Sequence, residues 1–158
     1  MRVAPTGTDQ TPSSFRPAAG VILLYGELVL LCKRISIDLE HGYEGGRVPY
    51  GGYWSPFAGA IEEGESPVEA AARELEEESG LKIEPHHLTY MAEIPREEGP
   101  FILYAHELSA LFNPVLDYEH TEYGYFKIES LGTSPSPICP EVVTVIQDFD
   151  AHRRHKGW

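Results

Sequence analysis

Apolar and polar positions change period several times along this chain, and each change marks an element. Ala18–Tyr25 (AAGVILLY) and residues 28–32 (LVLLC) are almost continuously apolar and are split by Gly26-Glu27. Two β-prone runs around a Gly-containing pair predict a hairpin, and their lack of alternation predicts burial on both faces. Residues 53–61 predict a short strand leading into a helix. From Ser66 the period becomes helical: Val68, Ala71, Ala72 and Leu75 share one side of a helix turning about 100° per residue. Ser66 suits the N-cap, Pro67 the first helical position, Glu69 completes a capping box with Ser66, and Gly80 supplies the stop. Residues 88–94, 101–111 and 123–128 predict three further strands. Val142, Val143, Val145, Ile146 and Phe149 predict a closing helix over 142–152. The order β-β-β-α-β-β-β-α predicts an α/β fold, a mixed sheet with helices packed on it.

Between these elements, residues 36–53 mix glycines, tyrosines and acids and predict a long irregular loop, a kind that is often functional. Residues 1–16, rich in Pro, Ser, Thr and Gly, predict a flexible or loosely docked arm ahead of a single domain over 17–158. A chain of 158 residues is long enough for one real core. No run of about 18 apolar residues offers a membrane span, and the N-terminus lacks a secretory pattern. Two cysteines are too few for a disulfide framework, and Cys32 reads as core. A cytoplasmic location is therefore expected.

Charge narrows the partners. A net charge of −13 argues against a long nucleic acid, which needs clustered Lys and Arg. The single basic stretch, Arg153-Arg154-His155-Lys156, is short. Phosphorylated small molecules remain compatible, because acids can hold divalent cations that in turn hold phosphate oxygens. On the helix, Glu74, Glu77 and Glu78 share one stripe, apart from the apolar face, while Glu69 and Glu76 point elsewhere. Like charges at these spacings oppose helix formation unless something cationic sits among them. Every offered ligand atom is oxygen, which favours Mg²⁺ or Mn²⁺. The alternative is a solvated acidic face.

The residues around the stripe decide between these. Gly59, Glu65, Arg73-Glu74-Leu75-Glu76-Glu77-Glu78-Ser79-Gly80-Leu81 resembles the Nudix box, G-x5-E-x7-R-E-U-x-E-E-x-G-U with U apolar, at every specified position. With the order of elements around it, the resemblance spans residues 17–155. It implies the Nudix fold, an α/β/α sandwich. It implies that Glu74, Glu77 and Glu78 hold metal and that Gly59 adds its backbone carbonyl. It also implies that Glu65 and Arg73 pair to pin the loop to the helix. The general base would be Glu74 or Glu77. Glu119, just before residues 123–128, resembles a further metal-binding glutamate of many relatives, with Glu122 as its rival. Arg34, at the end of the second strand, resembles a basic residue that some relatives set against substrate phosphate. His86, His87 and His120 read as surface histidines.

Many relatives carry Pro-Gly-Gly-Lys ahead of the helix, where this chain has Phe57-Ala58-Gly59-Ala60. Ala58 then requires an ordinary backbone conformation, and any substrate contact from the lysine is lost. Tyr43, Tyr50, Tyr53 and Trp54 offer aromatic faces for a base, with Tyr50 and Tyr53 the substrate-binding candidates. The resemblance implies a Nudix hydrolase acting on phosphoric anhydride bonds. Its Mg²⁺- or Mn²⁺-dependent pyrophosphatase activity would cleave a nucleoside diphosphate linked to another moiety. Nucleoside triphosphates and nucleotide sugars rank ahead of dinucleoside polyphosphates. The alternative is a non-catalytic nucleotide-binding or regulatory module. Action on capped RNA is disfavoured by the charge, no membrane partner is expected, and a homodimer is left open.

Overall fold

The computed structural model describes residues 15–36, 50–133 and 137–155. Strands β1 (Ala18–Tyr25) and β2 (Leu28–Arg34) form the expected hairpin, with Tyr25 opposite Leu28. Gly26 takes φ 56° at the first turn position, a conformation glycine adopts without a Cβ penalty. β1 lies at the centre. Along one edge it runs parallel to β6 (Phe101–Glu107), from Ala18 opposite Phe101 to Leu24 opposite Glu107. Its other edge is shared, because the hairpin opens after three paired residues. β2 holds residues 23–25, and β4 (Phe57–Ala60) holds residues 18–21.

The strand expected over 53–61 is therefore two. β3 (Trp54–Ser55) pairs with β2, and β4 pairs with β1. Pro56 separates them, since proline has no N–H to give a ladder. Outer strands β5 (Thr89–Ile94) and β7 (His120–Lys127) pair antiparallel with β6 and β2. β6 ends at Glu107, four residues before the expected end, where Leu108 donates its N–H to Leu24 O and the chain leaves the sheet.

Near-continuous apolar runs find apolar layers on both sides. Val21, Leu23, Leu30 and Cys32 face α1 (Pro67–Ser79) and meet Ala70, Ala71 and Leu75. Ile22, Leu24, Val29 and Leu31 face α2 (Pro140–His155) and meet Val142, Val143 and Ile146. Mixed sheet and flanking helices make the α/β/α sandwich that the sequence predicts. Among the described residues no helix is long and apolar enough to cross a membrane.

Three expectations need correction or limits. Trp54 is buried, edge-on to Phe126 at 5.0 Å, so it fills the core rather than offering a face to a base. The C-terminal basic stretch is not an open track. Arg153 is only 5% exposed and binds Asp150, Glu107 and the Gly26 carbonyl, while Arg154 binds Asp150 at 2.8 Å. Of the predicted arm, Arg16 is docked: its N–H donates to Glu98 O, and its carbonyl accepts from Arg96 at 2.7 Å. Residues 1–14, Tyr43 with the loop residues 37–49, and Lys156 lie outside the described residues.

Candidate metal and catalytic site

Helix α1 starts and stops where its local signals place it. Ser66 Oγ accepts from Glu69 N–H, Glu69 Oε1 accepts from Ser66 N–H, and Gly80 closes the helix at φ 82°. Its apolar side faces β1 and β4, which brings the acidic stripe over the β4 backbone. Glu69 and Glu76 are exposed, as expected.

The three stripe carboxylates then find different surroundings. Glu77 is open to solvent, its side chain 57% exposed. Glu74 is 13% exposed and packs directly on Gly59, so closely that a Cβ there would sit 2.5 Å from Oε1 and nearer still to Cδ and Oε2. Glu78 is 1% exposed. Its Oε1 accepts the Ala58 N–H at 2.9 Å, and its Oε2 is buried without a partner. Ala58 sits in ordinary strand conformation, made possible by Gly20 opposite it in β1. A Cβ on Gly20 would lie 2.5 Å from the Ala58 Cβ.

Arg73 holds the loop to the helix. Its Nε and Nη2 donate to the two Glu65 oxygens at 2.6 and 3.0 Å, the pair the sequence predicts. The same guanidinium reaches Ala60 O at 3.1 Å, Glu74 Oε2 at 3.0 Å and Glu77 at 3.3 Å. Arg73 is thus a built-in counter-cation for Glu62, Glu65, Glu74 and Glu77, with its own pKa raised first by Glu65, and it lowers that of Glu65. No bond from it reaches Glu78. Burial, then the charges of Glu74 and Asp117, push the Glu78 carboxyl up to about 10. Burial likewise raises Glu74. A buried carboxyl so displaced from its ordinary range has the character of a functional site.

A second set of donors comes from the chain entering β7. Ligand atoms of Glu78, Asp117 and His120 lie within 4.8 Å of one another. Asp117 Oδ1 is 2.9 Å from His120 Nδ1. His120 is therefore no surface histidine: its side chain is fully buried, edge-on to Phe57. The sequence does not single out Asp117 and reads His120 as exposed, because nothing local distinguishes a buried loop residue from an exposed one. Glu119 adds its negative charge to the surroundings of Glu78. Glu122 turns to solvent and pairs with Lys33 at 3.7 Å.

The three substrate candidates lie together. Tyr53 N–H donates to Tyr50 O at 3.0 Å across a turn with Gly52 at φ 82°, and the two exposed rings meet edge-on at 5.9 Å. Tyr50 holds φ 57°, a strained value for a tyrosine and of a kind that collects at functional sites. Arg34 closes this turn through its N–H to Tyr53 O and its O from Gly52 N–H. Arg34 also stands opposite His120 in the sheet, and Ile35 N–H donates to Glu119 O. The Arg34–Tyr53 corner and the donors around Glu78 are therefore joined by one strand end. His86 and His87 are exposed, on the far end of the turn after α1.

Parts of this chain are similar to known proteins. The phosphatase NudJ of Escherichia coli is 43% identical over 61 residues, 37% of this chain and 40% of that protein. An octanoyltransferase of Myxococcus xanthus is 55% identical over 40 residues, 25% of this chain and 11% of that one. The chain therefore spans well under half of these curated relatives. Among solved structures, an Ap4A hydrolase of Caenorhabditis elegans superposes with a TM-score of 0.65 at 20% identity, covering 87% of this chain and 98% of that one, and shares the fold. The NUDIX domain model matches residues 14–149, across both core layers and every residue of the cluster. By that match the chain belongs to the Nudix family.

Proposed function

We propose that this chain is a divalent-metal-dependent pyrophosphohydrolase acting on a small nucleotide, with a nucleoside triphosphate or a nucleotide sugar as substrate. The observation that carries the reading is Glu78: a buried carboxylate with one orphaned oxygen, beside two further acids and beyond the hydrogen bonds of Arg73. Such a group is stable as an anion only next to a cation. Oxygen-rich donors fit Mg²⁺ or Mn²⁺, which Glu74, Glu77, Glu78, Glu119 and the Gly59 carbonyl would hold. Bound there, the metal would neutralise phosphate oxygens and acidify a water.

The chain's own groups account for the rest. Glu74 is the better base of the two candidates, because it is largely withdrawn from water, fixed against Gly59 and raised in pKa by that burial. Glu77, open to solvent, is the ligand that exchanges most readily. Arg73 and Glu65 position the loop and take no proton. Arg34 would face a substrate phosphate, and Tyr50 and Tyr53 would hold the base. The free thiols of Cys32 and Cys139 fit a cytoplasmic setting.

A panel of nucleotides with Mg²⁺, its products identified by mass, tests the proposal on the wild-type chain and on Glu77→Gln and Glu78→Gln. Turnover by the wild type that both variants lower by about 10²-fold or more supports it. Tight nucleotide binding without turnover would instead favour a non-catalytic module.

A further inference from the structure

The donors behind the acidic stripe are not all oxygen. Glu78, Asp117 and His120 bring one ligand atom each within 4.8 Å, with Glu78 and His120 buried and Asp117 partly exposed. Two of their polar atoms, Glu78 Oε2 and His120 Nε2, are buried without a partner. The imidazole is also held in place: Asp117 engages Nδ1 at 2.9 Å, and the Phe57 ring stands edge-on at 6.2 Å. A carboxylate that fixes one ring nitrogen and so orients the other is the usual support of a metal-bound histidine. Backbone geometry puts the ring there. The β2–β7 register slips between Lys33 and Arg34, so that Lys33 faces Glu122 while Arg34 faces His120. Thr121 is the extra residue of a bulge, and without it the alternation from Tyr123 would turn His120 to the α2 side of the sheet.

From this the geometry points to a mixed nitrogen–oxygen cation subsite formed by Glu78, Asp117 and His120, which takes a divalent transition-metal ion such as Mn²⁺ in preference to Mg²⁺. It rests on Glu78 being a cation ligand, and adds a donor that the oxygen-only stripe lacks. Imidazole favours the transition metals, whereas carboxylate and carbonyl oxygens alone serve Mg²⁺ equally well. One side chain, Glu78, then belongs to both the stripe and the subsite, so the identity of the bound ion is set from behind the reacting face.

Pulsed electron paramagnetic resonance of the intact chain with substoichiometric Mn²⁺ tests this directly. The expected spectrum carries the modulation of a coordinated ¹⁴N, replaced by that of ¹⁵N when the protein is grown on ¹⁵N-histidine. His120→Gln should abolish it and weaken Mn²⁺ binding by about tenfold or more, while Mg²⁺ binding changes far less. A His86→Gln/His87→Gln/His155→Gln variant, altered only at exposed positions, should keep the signal, which preserves the test should His120→Gln not fold. Mn²⁺ bound with no nitrogen coupling overturns the subsite and leaves the glutamate stripe standing. No Mn²⁺ binding at all overturns both.

Discussion

Gly59→Ala separates the fold from the chemistry. Gly59 does not occupy the left-handed region, so alanine can take its backbone conformation. The added Cβ would lie 2.5 Å from Glu74 Oε1 and nearer still to its Cδ and Oε2, where ordinary contact begins at 3.4 Å. The carboxylate must therefore retreat by about 1 Å, and as the far end of a flexible side chain it can do so cheaply. Stability should change by no more than about 1 kcal/mol, with part of any loss offset by the smaller entropy of the unfolded chain. For a chain of this size that is about 2–4 °C in Tm. A 1 Å misplacement of a catalytic group costs about 10²-fold in rate. Gly20→Ala is the counterpart, since its Cβ would meet the Ala58 Cβ at 2.5 Å and the Phe57 carbonyl at 2.8 Å, neither of which can move alone. It should cost about 1–3 kcal/mol through overpacking. Thermal melts and kcat for both variants, measured well below Tm, check the pair. Full activity in Gly59→Ala, or a loss that merely follows its unfolding, would refute the placement of Glu74 at the reacting centre.

Metal-free protein should lose stability as pH rises. The Glu78 carboxyl, at about 10 in the fold against an ordinary 4.5, keeps a proton that the unfolded chain releases. The folded state thus binds more protons across that window, and stability falls with a ceiling of about 1.4 kcal/mol per pH unit for one group. Denaturant melts from pH 5 to 9 should show the slope, Glu78→Gln should flatten it, and Mg²⁺ or Mn²⁺ should reverse it by mass action; a flat wild-type profile contradicts the burial argument. Ser66→Ala removes one half of the capping box and should cost about 1 kcal/mol, read as a Tm drop, with KM unchanged. Replacing Tyr50 and Tyr53 by Ala should raise KM more than it lowers kcat, and an unchanged KM counts against their contact with the base.

What the sequence by itself determined was whatever short-range physics decides. The α1 boundaries follow from Ser66, Pro67, Glu69 and Gly80, all of which act within a turn, and they are where the structure has them. The β1–β2 hairpin follows from Gly26 between two apolar runs, and the Glu65–Arg73 pair from a motif with one spacing. Double-sided burial of β1 and β2 was legible too, because neither run alternates. Everything that depends on which surfaces meet was left to the tertiary structure. Glu77 and Glu78 belong to one acidic stripe of the helix, yet one is open and the other sealed, because Glu78 and not Glu77 lies over the β4 backbone. Strand 53–61 divides because the opening hairpin offers it two partners. His120 reads as a loop residue until the bulge at Thr121 and the β2 edge opposite turn it inward to Asp117 and Phe57. Burial is a property of pairs of surfaces distant in the chain, and a linear pattern records only one member of each pair.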